Sequence, residues 1–376
     1  MTRVAVLGST GSIGLSTLEV LRRHRGQYQV VALTAGTNAE LLASQAVEFR
    51  PAFAGLADGL TGGRTAGQFD RCGPECLVEA ATRPDVDVVV NAVVGFAGLD
   101  ATLAALRAGK RVALANKESL VTAGPLVLEA ARSGGGTLVP VDSEHSAALQ
   151  CIAAGRSRPV RLVLTASGGP FRTWEPDRIE HASVDEALSH PTWRMGHKIS
   201  VDSATLVNKA LEVIEGHFLF DLSYDAIEVV VHPQSVIHAF VEFADRSVLA
   251  QVGFPSMELP ILYALSHPER LPDQGVRRFD PLATGGLTFE PVRTGVFRAF
   301  ALGVAMGRRG GTAPTAFNAA NEVAVAAFLE QRIRFGRIAE VIEGVCAAHT
   351  PVPVTSVEAV REVDAWARVR ARELIG

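Results

Sequence analysis

Over the first 142 residues of this 376-residue chain, short apolar runs alternate with amphipathic stretches. Runs rich in valine and other aliphatic residues predict strands at 3–7, 29–34, 86–91, 111–115 and 136–141. Between them, apolar positions three and four apart predict helices such as 15–23, 39–48, 99–108 and 124–131. Strands and helices in alternation imply βαβ units on a parallel sheet.

The pattern changes over 143–270. Strands are predicted at 161–166, 226–232, 236–243 and 248–254, the last two joined by a hairpin turn at Ala244-Asp245-Arg246-Ser247, with one helix at 203–220 among them. Within this region, 168–197 is rich in Gly, Pro, Trp, Met and His but weak in periodicity, as expected of a functional lid. A Pro/Gly-rich connector at 271–291 leads into helices near 294–306, 316–331, 338–348 and 356–374, whose apolar spacing suits a small bundle. The expected fold class is α/β: an N-terminal Rossmann-like parallel sheet (1–142), a central α+β catalytic domain (143–270), the connector and a C-terminal helical bundle (292–376).

The bulk properties exclude several functions. At 48% hydrophobic and 20% charged residues, the composition is that of a soluble globular protein. No uncharged apolar run reaches the roughly 20 residues that a membrane span needs, so no membrane role is expected. A net charge of −4 gives no electrostatic case for nucleic acid. The opening MTRVAVLGS has no signal-peptide character, and the scattered cysteines Cys72, Cys76, Cys151 and Cys346 read as reduced thiols, so a cytoplasmic protein is expected.

In VAVLGSTGSIGLSTL, Gly8, Gly11 and Gly14 follow the first strand and open a helix. Glycines there let backbone N–H groups approach a pyrophosphate, and the helix N-terminus adds partial positive charge. The second strand ends Leu33-Thr34-Ala35-Gly36-Thr37-Asn38, without the carboxylate that selects a free ribose 2′-hydroxyl, which favours NADPH over NADH.

In VPVDSEHSAAL, Asp142 and Glu144 stand two residues apart. Extended geometry through Glu144 would put both carboxylates on one side, where hard oxygen ligands favour Mg²⁺ or Mn²⁺. The competing reading has Asp142 capping the next helix and Glu144 solvated. In Asp202-Ser-Ala-Thr-Leu-Val-Asn-Lys-Ala-Leu-Glu212, Asn208, Lys209 and Glu212 share a helix face, and Ser203 falls at the predicted helix start. Phosphate capture by Ser203, Asn208 and Lys209, with Glu212 as a third metal ligand, accounts for the arrangement. Ser167-Gly168-Gly169 offers a second anion site or a plain loop, and Lys117 at the end of the fourth strand is an active-site cation or an exposed helix-start lysine. Trp193, with His190 and Met195 in the expected lid, is placed to cover a ligand. His232 and His238 read as packed histidines outside the site.

Together GSTGSIG, ANKESL, VDSEHSA, TASGGPF, HPTWRMG and SVDSATLVNKALE, in this order and with HPQSVIH and FNAANEVAVAAFL beyond them, resemble the 1-deoxy-D-xylulose 5-phosphate reductoisomerase family nearly end to end. The resemblance implies a homodimer that isomerises a sugar phosphate and reduces the product with NADPH and a divalent metal (Mn²⁺, Mg²⁺ or Co²⁺). It implies Asp142, Glu144 and Glu212 as metal ligands, and Lys117 and Glu144 as the candidates for proton transfer. Lys117, Ser143, Ser167, His190, Trp193, Ser203, Asn208 and Lys209 would contact substrate. Thr10, Gly11, Ser12, Ile13, Gly36, Thr37, Asn38, Asn116, Glu118 and Gly196 would line the NADPH site. Thr37 stands where Lys or Arg is frequent, leaving one charge less for the 2′-phosphate. The alternative is a metal-requiring NADP-dependent dehydrogenase of another phosphorylated substrate, which would not rearrange the carbon skeleton.

Overall fold

In the first strand, Val4, Ala5, Val6 and Leu7 are all completely buried, as befits a central parallel strand covered on both faces. The computed structural model describes residues 1–58, 68–193 and 195–376. Its first sheet contains β1 (Thr2–Leu7), β2 (Tyr28–Ala35), β3 (Phe53–Leu56), β4 (Arg71–Cys72), β5 (Val88–Asn91), β6 (Arg111–Leu114) and β7 (Thr137–Pro140). The order is β4-β3-β2-β1-β5-β6-β7, and every pairing is parallel. The chain winds outward from β1 in both directions, so the topological switch lies between β1 and β5. In open α/β sheets this is where a nucleotide binds.

Five of these strands fall where the hydrophobic pattern predicts them. Strand β3, the edge strand β4 and the helix Glu75–Thr82 have no counterpart in that prediction; β4, at two residues, is too short to show a period. The helix predicted at 124–131 begins at Lys117 and extends to Gly134, with a kink at Ala123 (φ −138°). Pro125 accounts for the kink: it lacks an N–H, and its ring crowds the carbonyl of Val121.

Contacts group the chain into two compact units. The first comprises Met1–Ser119, Leu126–Ser146 and Ser256–Val276. The last of these segments lay within the expected central domain and connector, yet its helix Glu258–Ser266 packs on helix Ser12–Arg23. Arg23 clamps it, reaching Glu258 at 2.7 Å and Asp273 at 2.8 Å.

The second unit comprises Leu120–Pro125, Ala147–Pro255 and Arg277–Gly376. Its mixed sheet contains β8 (Pro159–Ala166), β9 (Ile227–Val231), β10 (Ile237–Phe243), β11 (Val248–Val252) and β12 (Glu290–Pro291), in the order β11-β10-β8-β9-β12. The predicted hairpin is present, with Phe243 N–H donating to Ser247 O across the turn. The C-terminal helices Arg298–Arg309, Ala313–Leu329, Arg337–Ala348 and Val357–Ile375 share a single core with the sheet, built around Leu164, Phe171, Leu211, Phe317 and Ile342.

Two expectations in this unit are corrected. The helix predicted at 203–220 is two helices, His197–Ala204 and Val207–Phe220, separated by Leu206 in the left-handed region at φ +58°. The left-handed backbone costs about 1–2 kcal/mol, and burying the Leu206 side chain to 3% exposure contributes about 1.5–3 kcal/mol, so the break is sustained. Thr205 Oγ1 accepts the N–H of Val207 at 3.3 Å and caps the second helix. The stretch 168–197, expected as a lid, is also not loose throughout. Phe171, Ile179, Ala182 and Ala187 are buried in the core, among the described residues none of 189–197 joins it, and Arg194 of the expected lid lies outside the described residues.

Candidate active site

The phosphate turn is built as its glycines require. Gly8 adopts φ +79°, and a Cβ there would come within 2.7 Å of Ala92 O. A Cβ on Gly14 would lie 2.2 Å from Gly8 O and 2.6 Å from the Ser9 backbone, so only glycine lets helix Ser12–Arg23 start against the turn. Gly11 caps the helix with room to spare. The first-turn N–H groups of Ser12 and Ile13 have no partner within the helix and face a rim where Thr10, Gly11, Ser12 and Ile13 are all partly or fully exposed.

At the end of β2, Gly36, Thr37 and Asn38 continue this rim. Asn38 Oδ1 caps helix Ala39–Phe49 by accepting Leu41 N–H at 3.1 Å, so its amide nitrogen remains to donate. β2 itself ends without an acid, as the sequence shows, but a neighbouring strand supplies one. Asp58, which follows the unforeseen strand β3, brings a carboxylate oxygen to within 3.5 Å of the Cβ position of Gly36. Asn116 is buried, and its amide donates to Val93 O at 2.7 Å, Gly95 O at 2.8 Å and Glu118 Oε2 at 3.1 Å. Its side chain therefore ties the loop after β5 to the start of helix Lys117–Gly134.

Lys117 opens its helix but is not solvated. Its side chain is 9% exposed, and Nζ lies 2.5 Å from Asp142 Oδ2. β7 ends at Pro140, so extended geometry does not reach Glu144. Asp142 caps helix Ser143–Gly155 through Oδ1, taking the N–H of Glu144 at 3.2 Å and of His145 at 3.3 Å. Glu144 stands in the first helical turn, and Ser143 donates its hydroxyl to it. Asp142 therefore caps as one reading had it, though Glu144 is partly buried and not simply solvated: one oxygen of Asp142 caps the helix while the other meets the ammonium.

On helix Val207–Phe220, Glu212 is 1% exposed, receives Asn208 Nδ2 at 2.6 Å and pairs with the buried ammonium of Lys209. Ser203 is not at this helix's start; the break at Leu206 puts it in the last turn of helix His197–Ala204. One carboxylate oxygen each from Asp142, Glu144 and Glu212 lie within 4.8 Å of one another. Three carboxylate oxygens so close repel one another, and they are the hard donors that a divalent cation fits. Asp202, in the same segment, was assigned no role, yet it is buried and held by Lys198 at 2.9 Å and Asn321 at 2.8 Å. Lys198 lies one helical turn away, but Asn321 is 119 residues distant and no local pattern announces it.

Ser167 and His190 meet at 3.0 Å. His190 Nδ1 accepts the N–H of Thr192 at 3.1 Å and of Trp193 at 2.9 Å, so the hydrogen of the neutral ring sits on Nε2 and is donated to Ser167 Oγ. Burial pushes His190 down to about 4, keeping it neutral near pH 7. Ser167 Oγ also accepts Gly169 N–H at 3.2 Å. With its oxygen taken up twice, the hydroxyl is left to donate outward, as an anion requires. Trp193 is half-buried, with its ring 6.4 Å from that of His238, a residue that the sequence reading left out. Gly196 is exposed and caps helix His197–Ala204.

A dinucleotide turn and a cation centre on one chain define the class as a metal-requiring dinucleotide oxidoreductase. Comparison with known proteins narrows it. Three family models match: 1-deoxy-D-xylulose 5-phosphate reductoisomerase over residues 4–124, its C-terminal domain over 138–220, and a DXP reductoisomerase C-terminal domain over 252–370. The chain is therefore a member of the 1-deoxy-D-xylulose 5-phosphate reductoisomerase family. The enzyme of that name from Ralstonia nicotianae is 50% identical, covering 100% of this chain and 98% of its own; that from Ralstonia pickettii is 51% identical with the same coverage. A crystal structure of DOX-P reductoisomerase with NADPH, fosmidomycin and magnesium has a TM-score of 0.93 at 40% identity, covering 100% of this chain and 98% of that one. The Zymomonas mobilis enzyme in complex with NADPH has a TM-score of 0.91 at 42% identity, covering 100% and 99%.

Proposed function

We infer that the protein catalyses the reaction of its family: the NADPH-dependent conversion of 1-deoxy-D-xylulose 5-phosphate to 2-C-methyl-D-erythritol 4-phosphate, in isoprenoid biosynthesis. The observation that carries this reading is the convergence of Asp142, Glu144 and Glu212, with Lys117 paired to the first of them, in a chain half identical to named reductoisomerases. Related structures hold NADPH and magnesium, which supports the same two cofactors here.

The site residues divide the work. A divalent cation held by Asp142, Glu144 and Glu212 supplies Lewis acidity toward neighbouring carbonyl and hydroxyl oxygens of the substrate, and NADPH supplies the hydride. Lys117 steadies negative charge that develops on a substrate oxygen or returns a proton to it, and Glu144 is the alternative proton carrier. Ser143 donates to the substrate once its hydroxyl leaves Glu144. The outward-donating hydroxyl of Ser167, oriented by His190, binds the phosphate end, and Ser203, Asn208 and Lys209 complete that subsite. Trp193 covers the reacting fragments while a carbon–carbon bond breaks by retro-aldol cleavage and re-forms in the branched skeleton. The NADPH site is formed by residues 10–13 and 36–38, the backbone of Asn116, Glu118 and Gly196, so that 1–142 acts as the NADPH-binding domain.

We place the protein in the cytoplasm as a homodimer. Among the described residues no helix is long and apolar enough to cross a membrane, and the four cysteines are free thiols, which supports the compartment. The exposed Val248, Leu249 and Val252 of β11 support a self-association surface, and sedimentation as a monomer at working concentration would overturn it.

Incubating the protein with the keto-sugar phosphate, NADPH and Mn²⁺ tests the function. NADPH absorbance should fall, and product NMR should show the branched methyl carbon. Reduction without branching would instead indicate the plain dehydrogenase.

A further inference from the structure

We propose that Asp58 is a specificity residue of the dinucleotide site, its carboxylate disfavouring a ribose 2′-phosphate and so narrowing the margin by which this enzyme prefers NADPH to NADH. The proposal rests on the assignment of residues 36–38 to the NADPH site. Backbone pairing continues past the ends of β2 and β3, with Ala57 N–H donating to Ala35 O at 2.8 Å and Asp58 N–H to Gly36 O at 3.1 Å. These two bonds fix Asp58 beside the turn instead of leaving it on a free loop. Its Oδ2 lies 3.5 Å from the Cβ position at Gly36, so the carboxylate stands over the residue that follows β2.

With the pyrophosphate at the start of helix Ser12–Arg23, the adenosine ribose of a dinucleotide reaches the end of β2. An acid at that point ordinarily comes from β2 itself and accepts the 2′-hydroxyl of NADH. Here the acid comes from the neighbouring strand. The Asp58 carboxylate is exposed and, among the described residues, has no ion-pair or hydrogen-bond partner. The groups available to offset it on the turn are neutral: the Thr37 hydroxyl, the Asn38 amide and backbone N–H groups. A 2′-phosphate therefore gains hydrogen bonds from the turn but meets a like charge, whereas a 2′-hydroxyl meets an acceptor.

The test is Asp58→Asn, which keeps the shape and removes the charge. The readouts are kcat/KM for NADPH and for NADH, and calorimetric Kd values for the fragments 2′,5′-ADP and 5′-AMP. The NADPH-to-NADH ratio should rise about three- to tenfold, the range for one carboxylate a few ångströms from a phosphate in a solvated site. The affinity for 2′,5′-ADP should rise by the same factor, while that for 5′-AMP should stay level or fall. The gain should fade in 1 M salt, where the Debye length is about 3 Å. Thr37→Lys, which adds a positive charge on the same turn, should raise the ratio in its own right.

An unchanged or weakened affinity for 2′,5′-ADP in Asp58→Asn would overturn the proposal. The fragments need no catalysis, so an enzyme that failed to turn over the keto-sugar phosphate would sink the functional reading and still leave Asp58 decided by binding.

Discussion

The Lys117 ammonium and the Asp142 carboxylate, 2.5 Å apart, are 9% and 8% exposed, so each charge leans on the other inside the protein. Removing one partner of such a pair strands the other in a medium that solvates it poorly. Lys117→Met should lower the melting temperature of the metal-free protein by several degrees, and Mn²⁺ should raise it further than in the parent, because the ion restores the missing positive charge. Its kcat should fall at least about 100-fold through loss of a cation at the reacting oxygens. A kcat within fivefold of the parent would remove Lys117 from the chemistry.

The acids separate metal from cofactor. Glu212 sits on helix Val207–Phe220, apart in the chain from the glycine turn at 8–14. Asp142→Asn and Glu212→Gln should therefore each reduce turnover by about 10³ or more and weaken Mn²⁺ binding at least tenfold, with NADPH Kd shifted less than threefold. Loss of NADPH binding with Mn²⁺ affinity intact would contradict the assignment.

Two glycines of the phosphate turn should respond differently. The Cβ of Gly14→Ala would press into the backbone of Gly8 and Ser9, neither of which can yield without opening the turn, so stability should fall by several kcal/mol and NADPH binding should be lost. A Cβ at Gly11 meets only Gly8 O, at an ordinary 3.5 Å. Gly11→Ala should fold with a near-parental melting temperature and lose affinity for NADPH alone, because its methyl group occupies the approach of the pyrophosphate. Thermal melts and NADPH titrations of the two variants check the contrast.

Much of this site could be read from the chain because its pieces are local. Gly8 to Gly14 follow one strand directly, Asp142 and Glu144 are two residues apart, and Asn208, Lys209 and Glu212 share one helix face. The reading failed where tertiary contacts override local pattern. The apolar spacing of 203–220 continues smoothly through Leu206, whose left-handed backbone is sustained by burial that no period records. Phe171 and Ile179 lie in a stretch without periodicity yet belong to the core. Asp58 comes beside β2 only through the pairing of β3 on that strand, and the partners of the Asn116 amide come from the loop after β5 and from Glu118, so neither arrangement shows in the local sequence.

Stability should depend on pH through Asp273, whose carboxylate is 2% exposed between Arg23 and His24. Burial by itself would raise its pKa, but the paired hydrogen bonds from Arg23, the N–H of Gly275 and His24 together outweigh burial and hold it below the usual aspartate value. A folded-state pKa below the unfolded one, about 3.9, means that this stabilisation is complete above roughly pH 5 and is lost as pH falls through the folded value. Asp273→Asn should cost about 2 kcal/mol in urea denaturation at pH 7, and the gap from the parent should close below pH 4. A gap that widened on acidification would show that the carboxylate is not the stabilising species.

Ser167 and His190 yield the last prediction, since the tautomer set by the backbone determines what the serine can do. Two N–H groups on Nδ1 force the His190 hydrogen onto Nε2, and Ser167 Oγ, accepting from it and from Gly169, keeps its own hydrogen for a ligand. Ser167→Ala should raise KM for the sugar phosphate about tenfold, roughly the value of one hydrogen bond to a charged group, with NADPH affinity preserved. His190→Ala should do the same less strongly, leaving the serine in place but unoriented. Because His190 titrates near 4, its protonation would put a second hydrogen on Nδ1, against the two N–H donors already there. The parent's KM for the sugar phosphate should therefore rise as pH falls through about 5 to 4, an increase that His190→Ala should lack. The same acid limb in parent and variant would assign that pH dependence to another group.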